Sequence, residues 1–152
     1  MNLCSLVDNR LISFDFAAGS KEDIIHKAAE MMLKAEKISN KEKFIEEVFK
    51  REEEFTTGVG MGVAIPHCRS AVVIQPCFAL LKLQTPLAWD SLDGEPVRYV
   101  IVLAAPENAA NDFLNLLSTL SYNLMDDDFR AVLMNASSIE EIKKLFTERG
   151  EK

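Results

Sequence analysis

The chain has 152 residues, 48% hydrophobic and 27% charged, and it carries a net charge of −7 at pH 7. This length suits one domain with its own core, so we expect residues 1–152 to form a single domain. The net negative charge argues against nucleic acid as a partner. No apolar run is long enough for membrane insertion, and the N-terminus lacks the apolar region of a signal peptide. Three cysteines without metal or disulfide spacing fit a reduced, cytoplasmic setting with no metal site.

The first half of the chain predicts one short strand and two helices. Residues 10–16 alternate in polarity, as a half-buried strand does. Ser20 with Asp23 resembles a capping box that opens the first helix, and Asn40 can cap the second, which holds Arg51 in its last turn. The residues expected to face the core are Ile24, Ile25, Ala28, Ala29, Met32 and Leu33 in the first helix, and Phe44, Ile45, Val48 and Phe49 in the second.

The second half predicts three strands and then three helices. The strands are expected at 62–67, 77–84 and 97–106, and the last is so apolar that it should lie at the centre of the sheet. Asn111 is expected to open the next helix, and Ser138 with Glu141 forms a capping box for the final one, which should stop at Gly150. The helix after Asn111 is expected to bury Leu114, Leu117, Leu120 and Leu124, and a short acidic-ended helix should cover 126–136. Together these elements predict an α/β or α+β fold in which helices sandwich a mixed central sheet.

Three glycines alternate through residues 58–62, after the second helix. Glycine lets backbone N–H groups approach an anion closely, and a threonine adds a hydroxyl donor. The candidate phosphate-binding residues are therefore Thr57, Gly58, Gly60 and Gly62. In the alternative interpretation this is an ordinary glycine-rich turn between a helix and a strand, because such spacing alone is a weak signal.

His67 follows the glycines directly behind Pro66, which stiffens the backbone. Neutral imidazole is a good nucleophile near pH 7, so a rigid histidine beside N–H donors suits a phosphoryl acceptor. The planar guanidinium of Arg51 would fit the phosphoryl oxygens. Alternatively, His67 is an ordinary surface or core-edge histidine and Arg51 is one charge on a solvated face. A hydrolase that uses His67 as a base lacks a Ser or Asp partner within the motif.

The acidic residues after Arg51 have two interpretations. Glu52, Glu53 and Glu54 are either exposed carboxylates that steer a partner with a basic face or simply a solvated helix end. Among the other candidates, Cys68 is predicted to be a small packed residue. His26 is predicted to be solvated.

The run KREEEFTTGVGMGVAIPHC, residues 50–68, resembles the active-site signature of the fructose/mannitol-type IIA domains of the bacterial phosphoenolpyruvate-dependent sugar phosphotransferase system. The shared pattern is Arg-Glu at a helix end, then Thr-Gly, a small-residue run and Ala-x-Pro-His. The resemblance extends over nearly the whole chain, including LAAPEN at 103–108 and the Leu-rich helix after it. It implies a mixed sheet sandwiched by helices, of the phosphotransferase/anion-transport-protein type.

The resemblance also implies a phosphotransferase role that needs no cofactor. His67 would take a phosphoryl group from the phosphohistidine of the small carrier HPr, with Arg51 stabilising the group. It would then pass the phosphoryl group to a IIB component, usually onto a cysteine, for the uptake of a sugar or polyol of the galactitol or fructose class. Such a transfer depends on positioning and charge stabilisation more than on acids and bases.

One position departs from the resembled family. Many members carry a second histidine just before the Leu-rich helix, where Phe113 falls here. Phenylalanine cannot hydrogen-bond, so Arg51, Thr57 and backbone amides would have to suffice, with Asn111 as a candidate helper. Free-standing galactitol-type IIA proteins share both the AIPHC run and the missing histidine, which favours that sugar class. The same departure would also suit a regulatory protein of the nitrogen type, in which phosphorylation of His67 controls binding to a partner protein.

Overall fold

The computed structural model describes residues 3–149, which fold into six strands and five α-helices after two short 3₁₀ turns. In chain order the elements are β1 (Ile12–Phe16), α1 (Lys21–Lys34), α2 (Lys41–Glu54), β2 (Gly58–Gly60), β3 (Val63–Ala64), β4 (His67–Ser70), β5 (Cys77–Leu87), β6 (Val97–Pro106), α3 (Ala110–Leu124), α4 (Asp127–Asn135) and α5 (Ile139–Arg149). The stop expected at Gly150 lies outside the described residues.

The strands form one mixed sheet in the order β1-β5-β6-β3-β2, with β4 also paired to β6. β6 is central, as its apolar sequence predicted: β5 pairs with it antiparallel, and β3 and β4 pair with it parallel. The single strand predicted at 62–67 is wrong, because β3 and β4 are separate. Pro66 lies between them and has no N–H to donate to the ladder, so the strand pairing is interrupted there.

Side chains of β6 alternate between two cores, one on each face of the sheet. Val100 and Val102 pack with α1 and α2, whereas Ile101 and Leu103 pack with α3, α4 and α5. The sheet is therefore sandwiched between two helical layers. This arrangement confirms the predicted α/β fold with a mixed central sheet.

Most of the predicted helix starts are present in the structure. Ser20, Asn40 and Ser138 each accept the backbone N–H of the residue three positions later, at 3.0, 3.0 and 3.3 Å. The prediction that Asn111 opens its helix is wrong, because α3 begins at Ala110 without a side-chain cap and Asn111 is exposed in the first turn.

Two helices turn their buried faces slightly away from the predicted ones. α3 buries Phe113, Leu116 and Leu120, while Leu114 is 59% exposed. Adjacent helix positions differ by about 100° around the axis, so Leu114 points to solvent where its neighbour Phe113 points to the core. Leu33, the last core residue predicted for α1, is 41% exposed for the same reason.

Asp8 stabilises the segment that precedes β1 through ion pairs with Arg10 and Lys37. Its carboxylate accepts hydrogen bonds from the backbone and the guanidinium of Arg10 and lies 3.7 Å from Nζ of Lys37. The side-chain bond from Arg10 is the main cause that lowers the pKa of Asp8 from 3.8 to about 2. The resulting stabilisation is present above the ordinary value and is lost as the pH falls towards 2.

We expect Asp8→Asn to lower the free energy of unfolding by about 1 kcal/mol at neutral pH, because the ion pair is partly exposed to solvent. The loss should shrink when the pH falls to about 3, since the wild-type carboxylate then gives up the same stabilisation. Urea titrations at both pH values measure this. Asp15→Asn, at an exposed position of β1, is the control and should change stability by less than about 0.5 kcal/mol. An effect of Asp8→Asn that is independent of pH would contradict the assignment.

Candidate functional site

His67 begins β4 directly after Pro66. Its neighbour Cys68 is buried in the core shared with α1 and α2, so strand alternation places His67 on the other face of the sheet. There the ring centroids of His67 and Phe113 lie 5.8 Å apart, with the ring planes inclined by 44°. The residue that stands in place of a second histidine therefore contacts the imidazole.

The imidazole of His67 is held by a hydrogen bond to the backbone. Its Nδ1 atom lies 2.6 Å from the carbonyl oxygen of Ile65. Because a carbonyl oxygen can only accept, Nδ1 must carry the proton, and in the neutral ring the lone pair is then on Nε2. Nε2 is therefore the nucleophilic atom of this side chain.

An open cavity of about 540 Å³ contains His67 between α2, β4 and the start of α3. Its lining combines charged residues of α2 with an apolar face of α3. The lining residues are Lys43, Glu46, Glu47, Lys50, Arg51 and Glu54 from α2, His67, Cys68 and Arg69 from β4, and Phe113, Leu114 and Leu117 from α3.

Arg51 and His67 line the same cavity. The Nη1 atom of Arg51 donates to the carbonyl oxygen of Phe55 at 2.9 Å, which holds one side of the guanidinium. A guanidinium has five N–H donors in a planar fork, so this anchor orients the group while other donors can bind an anion.

Three further cations line the cavity, and sequence reasoning missed them: Lys43, Lys50 and Arg69. Arg69 lies two residues after His67 in β4 and therefore on the same strand face. Its Nη1 atom donates to the carbonyl oxygen of Glu107 at 2.8 Å. Strand alternation could have identified Arg69, but the predicted strand ended at His67.

Thr57 is 3% exposed, and its donors are engaged by Glu52. The N–H of Thr57 donates to Oε2 of Glu52 at 3.0 Å, and its hydroxyl donates to Oε1. Thr57 is not among the residues that line the cavity, and both of its donors bind the carboxylate of Glu52.

The expectation that Glu52 is exposed like Glu53 and Glu54 is wrong. Its side chain is only 7% exposed, because it turns inward to pair with Lys21.

The glycines shape a hairpin rather than the wall of the cavity. Gly58 and Gly60 belong to β2, and Gly62 follows Met61 in the turn to β3. A Cβ atom at Gly58 would lie 2.7 Å from Oγ of Ser91, so this position needs glycine for close packing. Gly62 has a φ of +80°, which glycine adopts most readily. None of the three glycines is among the residues that line the His67 cavity.

The other candidates are placed as follows. Asn111 is exposed and does not belong to the cavity lining. Cys68 is buried, as predicted, and burial raises the pKa of its thiol to about 12, so the thiol is unreactive at neutral pH. His26 is exposed on α1, in agreement with its predicted solvation.

The electrostatics of the cavity favour the neutral form of His67. Burial is the largest influence and lowers its pKa. The hydrogen bond to Ile65 and the charge of Glu52 act in the opposite direction, while the positive charge of Arg51 lowers the pKa further. The net shift is downward, so the lone pair on Nε2 is available at neutral pH.

Comparison with known proteins shows that this chain, with its mixed sheet between helices, is an EIIA-type phosphocarrier domain. Residues 5–149 match the family described as "Phosphoenolpyruvate-dependent sugar phosphotransferase system, EIIA 2". The chain belongs to this family, which supports a phosphotransferase role in general. No helix within residues 3–149 has the length and apolar character needed to cross a membrane.

Three known proteins illustrate the similarity. The PTS system 2-O-alpha-mannosyl-D-glycerate-specific EIIABC component of Escherichia coli K12 is 35% identical over 152 residues, which is 99% of this chain but 23% of that protein. The crystal structure of nitrogen regulatory protein IIA-Ntr from Neisseria meningitidis is 33% identical with a TM-score of 0.87, covering 94% of this chain and 97% of that one. Enzyme IIAMTL, in its complex with phosphorylated IIBMTL of Escherichia coli, shares the fold at 20% identity and a TM-score of 0.78, covering 93% and 97%.

Proposed function

We propose that residues 1–152 form one cytoplasmic IIA domain whose His67 accepts a phosphoryl group from phospho-HPr and passes it to a IIB component. The observation that carries this proposal is the hydrogen bond from Nδ1 of His67 to Ile65, which leaves the lone pair on Nε2. Arg51 lines the same cavity and supplies a positive charge for the phosphoryl oxygens.

The transfer requires no base from this chain. Nε2 of His67 attacks the phosphorus of the carrier's phosphohistidine, and the new P–N bond forms as the old one breaks, its electron pair returning to the carrier's ring. The ring of His67 keeps its Nδ1 proton and becomes positively charged, and the carbonyl oxygen of Ile65 stabilises that charge. In the second transfer a thiolate of the IIB component attacks the same phosphorus. The P–N bond to His67 breaks, its electron pair returns to the ring, and His67 leaves as neutral imidazole.

The relatives support a IIB component as a partner, and their names give different sugar specificities. One Escherichia coli relative is named as a 2-O-alpha-mannosyl-D-glycerate-specific EIIABC component. The mannitol IIA protein forms a complex with a phosphorylated IIB protein. A galactitol or fructose class of sugar for this chain rests on the sequence resemblance, and galactitol in particular rests on the AIPHC run and Phe113.

A regulatory role is the second candidate, and two observations favour it. The Neisseria meningitidis structure that matches over 94% of this chain is a nitrogen regulatory protein. In addition, Phe113 contacts the imidazole but cannot hydrogen-bond to a phosphoryl group. In this role the phosphorylation state of His67 would control binding to another protein.

Labelling followed by discharge tests the two roles. The protein is incubated with phosphoenolpyruvate, enzyme I and HPr, and the labelled form is then mixed with the cognate IIB component. Rapid discharge to IIB is the result expected for transport. Label that persists, together with binding of a partner to only one phosphorylation state, would favour regulation. A protein that takes up no label would contradict both roles.

The lowered pKa of His67 predicts the pH dependence of labelling. We expect the rate of phosphoryl acceptance to fall to half at a pH below the ordinary histidine value near 6.5, because burial lowers the pKa of His67 and the neutral ring is the nucleophile. Initial labelling rates measure the profile, and NMR titration of the His26→Gln protein gives the pKa of the one remaining histidine. A rate that has already halved at about pH 7 would contradict the burial of His67.

A further inference from the structure

Glu52 is an inward-facing carboxylate directly after Arg51. It accepts two hydrogen bonds from Thr57 and one from Nζ of Lys21, at 3.2 Å. The side chains of Lys21 and Glu52 are 19% and 7% exposed, and Nζ of Lys21 also lies 4.9 Å from the ring centroid of Trp89. Burial raises the pKa of Glu52, but the bonds from Thr57 and the charge of Lys21 outweigh it, so the carboxylate is ionised at neutral pH.

This carboxylate is connected to the imidazole by a continuous series of hydrogen bonds. Glu52 holds the N–H and the hydroxyl of Thr57. The carbonyl oxygen of Thr57 accepts the N–H of Ile65 at 2.9 Å. The carbonyl oxygen of Ile65 in turn accepts Nδ1–H of His67 at 2.6 Å. Glu52 of α2 is therefore connected to the Ile65 carbonyl that selects the tautomer of His67. The connection runs through Thr57, just before β2, and Ile65, just after β3.

We propose that Lys21, Glu52 and Thr57 form a clamp that positions His67, by fixing the Ile65 carbonyl that keeps the proton on Nδ1 and the lone pair on Nε2. The clamp acts through the backbone and does not touch the phosphoryl group, so these are positioning residues. The proposal rests on the proposed role of His67 as the phosphoryl acceptor.

Bond geometry explains why an ionised carboxylate is needed in the clamp. Both oxygens of Glu52 accept, and together they receive donors from Thr57 and Lys21. Glu52→Gln removes the negative charge and turns one oxygen into an NH₂ group, so the bond from Lys21 loses its charge assistance and the hydroxyl of Thr57 must turn from donor to acceptor. The Ile65 carbonyl is then held less firmly, and the imidazole can exchange its proton between Nδ1 and Nε2.

The variants separate positioning from folding. Glu52→Gln should reduce the fraction of His67 in the Nδ1–H form, measured by ¹⁵N NMR shifts of the unphosphorylated ring. It should also slow the maximal rate of phosphorylation by on the order of tenfold, with an unchanged half-saturating concentration of phospho-HPr. Thr57→Val keeps the N–H and loses the hydroxyl, and should be intermediate. Thr57→Ser keeps both donors and should behave as wild type.

Glu53→Gln is the matched control, because it removes the same charge at the exposed neighbouring position and should change neither readout. A wild-type tautomer and rate in both Glu52→Gln and Thr57→Val would overturn the clamp. So would a loss that Thr57→Ser shares, since that variant retains the donors. Failure of the proposed function looks different, because the wild-type protein would then take no label at His67 while the ¹⁵N readout of the clamp could still be made.

Discussion

Replacing His67 with alanine is expected to abolish phosphorylation by phosphoenolpyruvate, enzyme I and HPr while leaving the fold intact. The ring supplies the only nucleophile assigned to the transfer, and its Nδ1–H bond to Ile65 leaves Nε2 as the reacting atom. His67 lines an open cavity at the start of β4, so truncation removes contacts with Phe113 but creates no closed void in either core. Acid-labile labelling measures the loss, and thermal unfolding checks the fold.

His26→Gln is the matched control for His67→Ala, because the sequence has two histidines and His26 is exposed on α1. This variant should be labelled at the wild-type rate. Label that survives in His67→Ala, or that disappears in His26→Gln, would contradict the assignment of the acceptor.

Replacing Arg51 with alanine is expected to slow phosphorylation by on the order of tenfold to a hundredfold. Charge-assisted hydrogen bonds are worth roughly 1.5–3 kcal/mol, and each ~1.4 kcal/mol changes a rate tenfold. Arg51→Lys should be intermediate, because an ammonium group keeps the charge but cannot bind two oxygens in a planar fork. Loss of the Arg51–Phe55 bond should reduce the free energy of unfolding by no more than about 1.5 kcal/mol.

Lys50→Ala is the control for Arg51→Ala. Lys50 precedes Arg51 in α2 and lines the same cavity, so its removal changes the net charge there equally. Single-turnover labelling by phospho-HPr compares all three variants with wild type. If Lys50→Ala slows the transfer as much as Arg51→Ala does, the general positive charge of the cavity matters and the guanidinium of Arg51 has no special role.

The fold was largely predictable because its signals are local. A nearly all-apolar segment of ten residues predicts the central strand β6, and Ser20, Asn40 and Ser138 predict three helix starts. The prediction of one strand at 62–67 did not include the break at Pro66. The apolar residues before Pro66 are typical of a strand, but proline cannot donate to the ladder and so interrupts the pairing.

The candidate site was predicted only in part. A local motif picks out His67 and Arg51, and the structure brings both to one cavity. The inward orientation of the Glu52 side chain was not predictable, because the sequence does not distinguish Glu52 from the two glutamates that follow it. Its burial depends on Lys21, which lies 31 positions earlier. The role of Gly58 also depends on a distant residue, since Ser91 of the β5–β6 connection packs against it. Pairings of this kind arise only once the sheet has formed.

The most direct test of phosphoryl transfer to His67 is ¹⁵N and ³¹P NMR of the ¹⁵N-histidine-labelled protein after phosphorylation by phospho-HPr. We predict a single phosphohistidine, with phosphorus bonded to Nε2 of His67 and a proton on Nδ1, as the bond to Ile65 requires. Phosphorus bonded to Nδ1, or a phosphohistidine at His26, would contradict it.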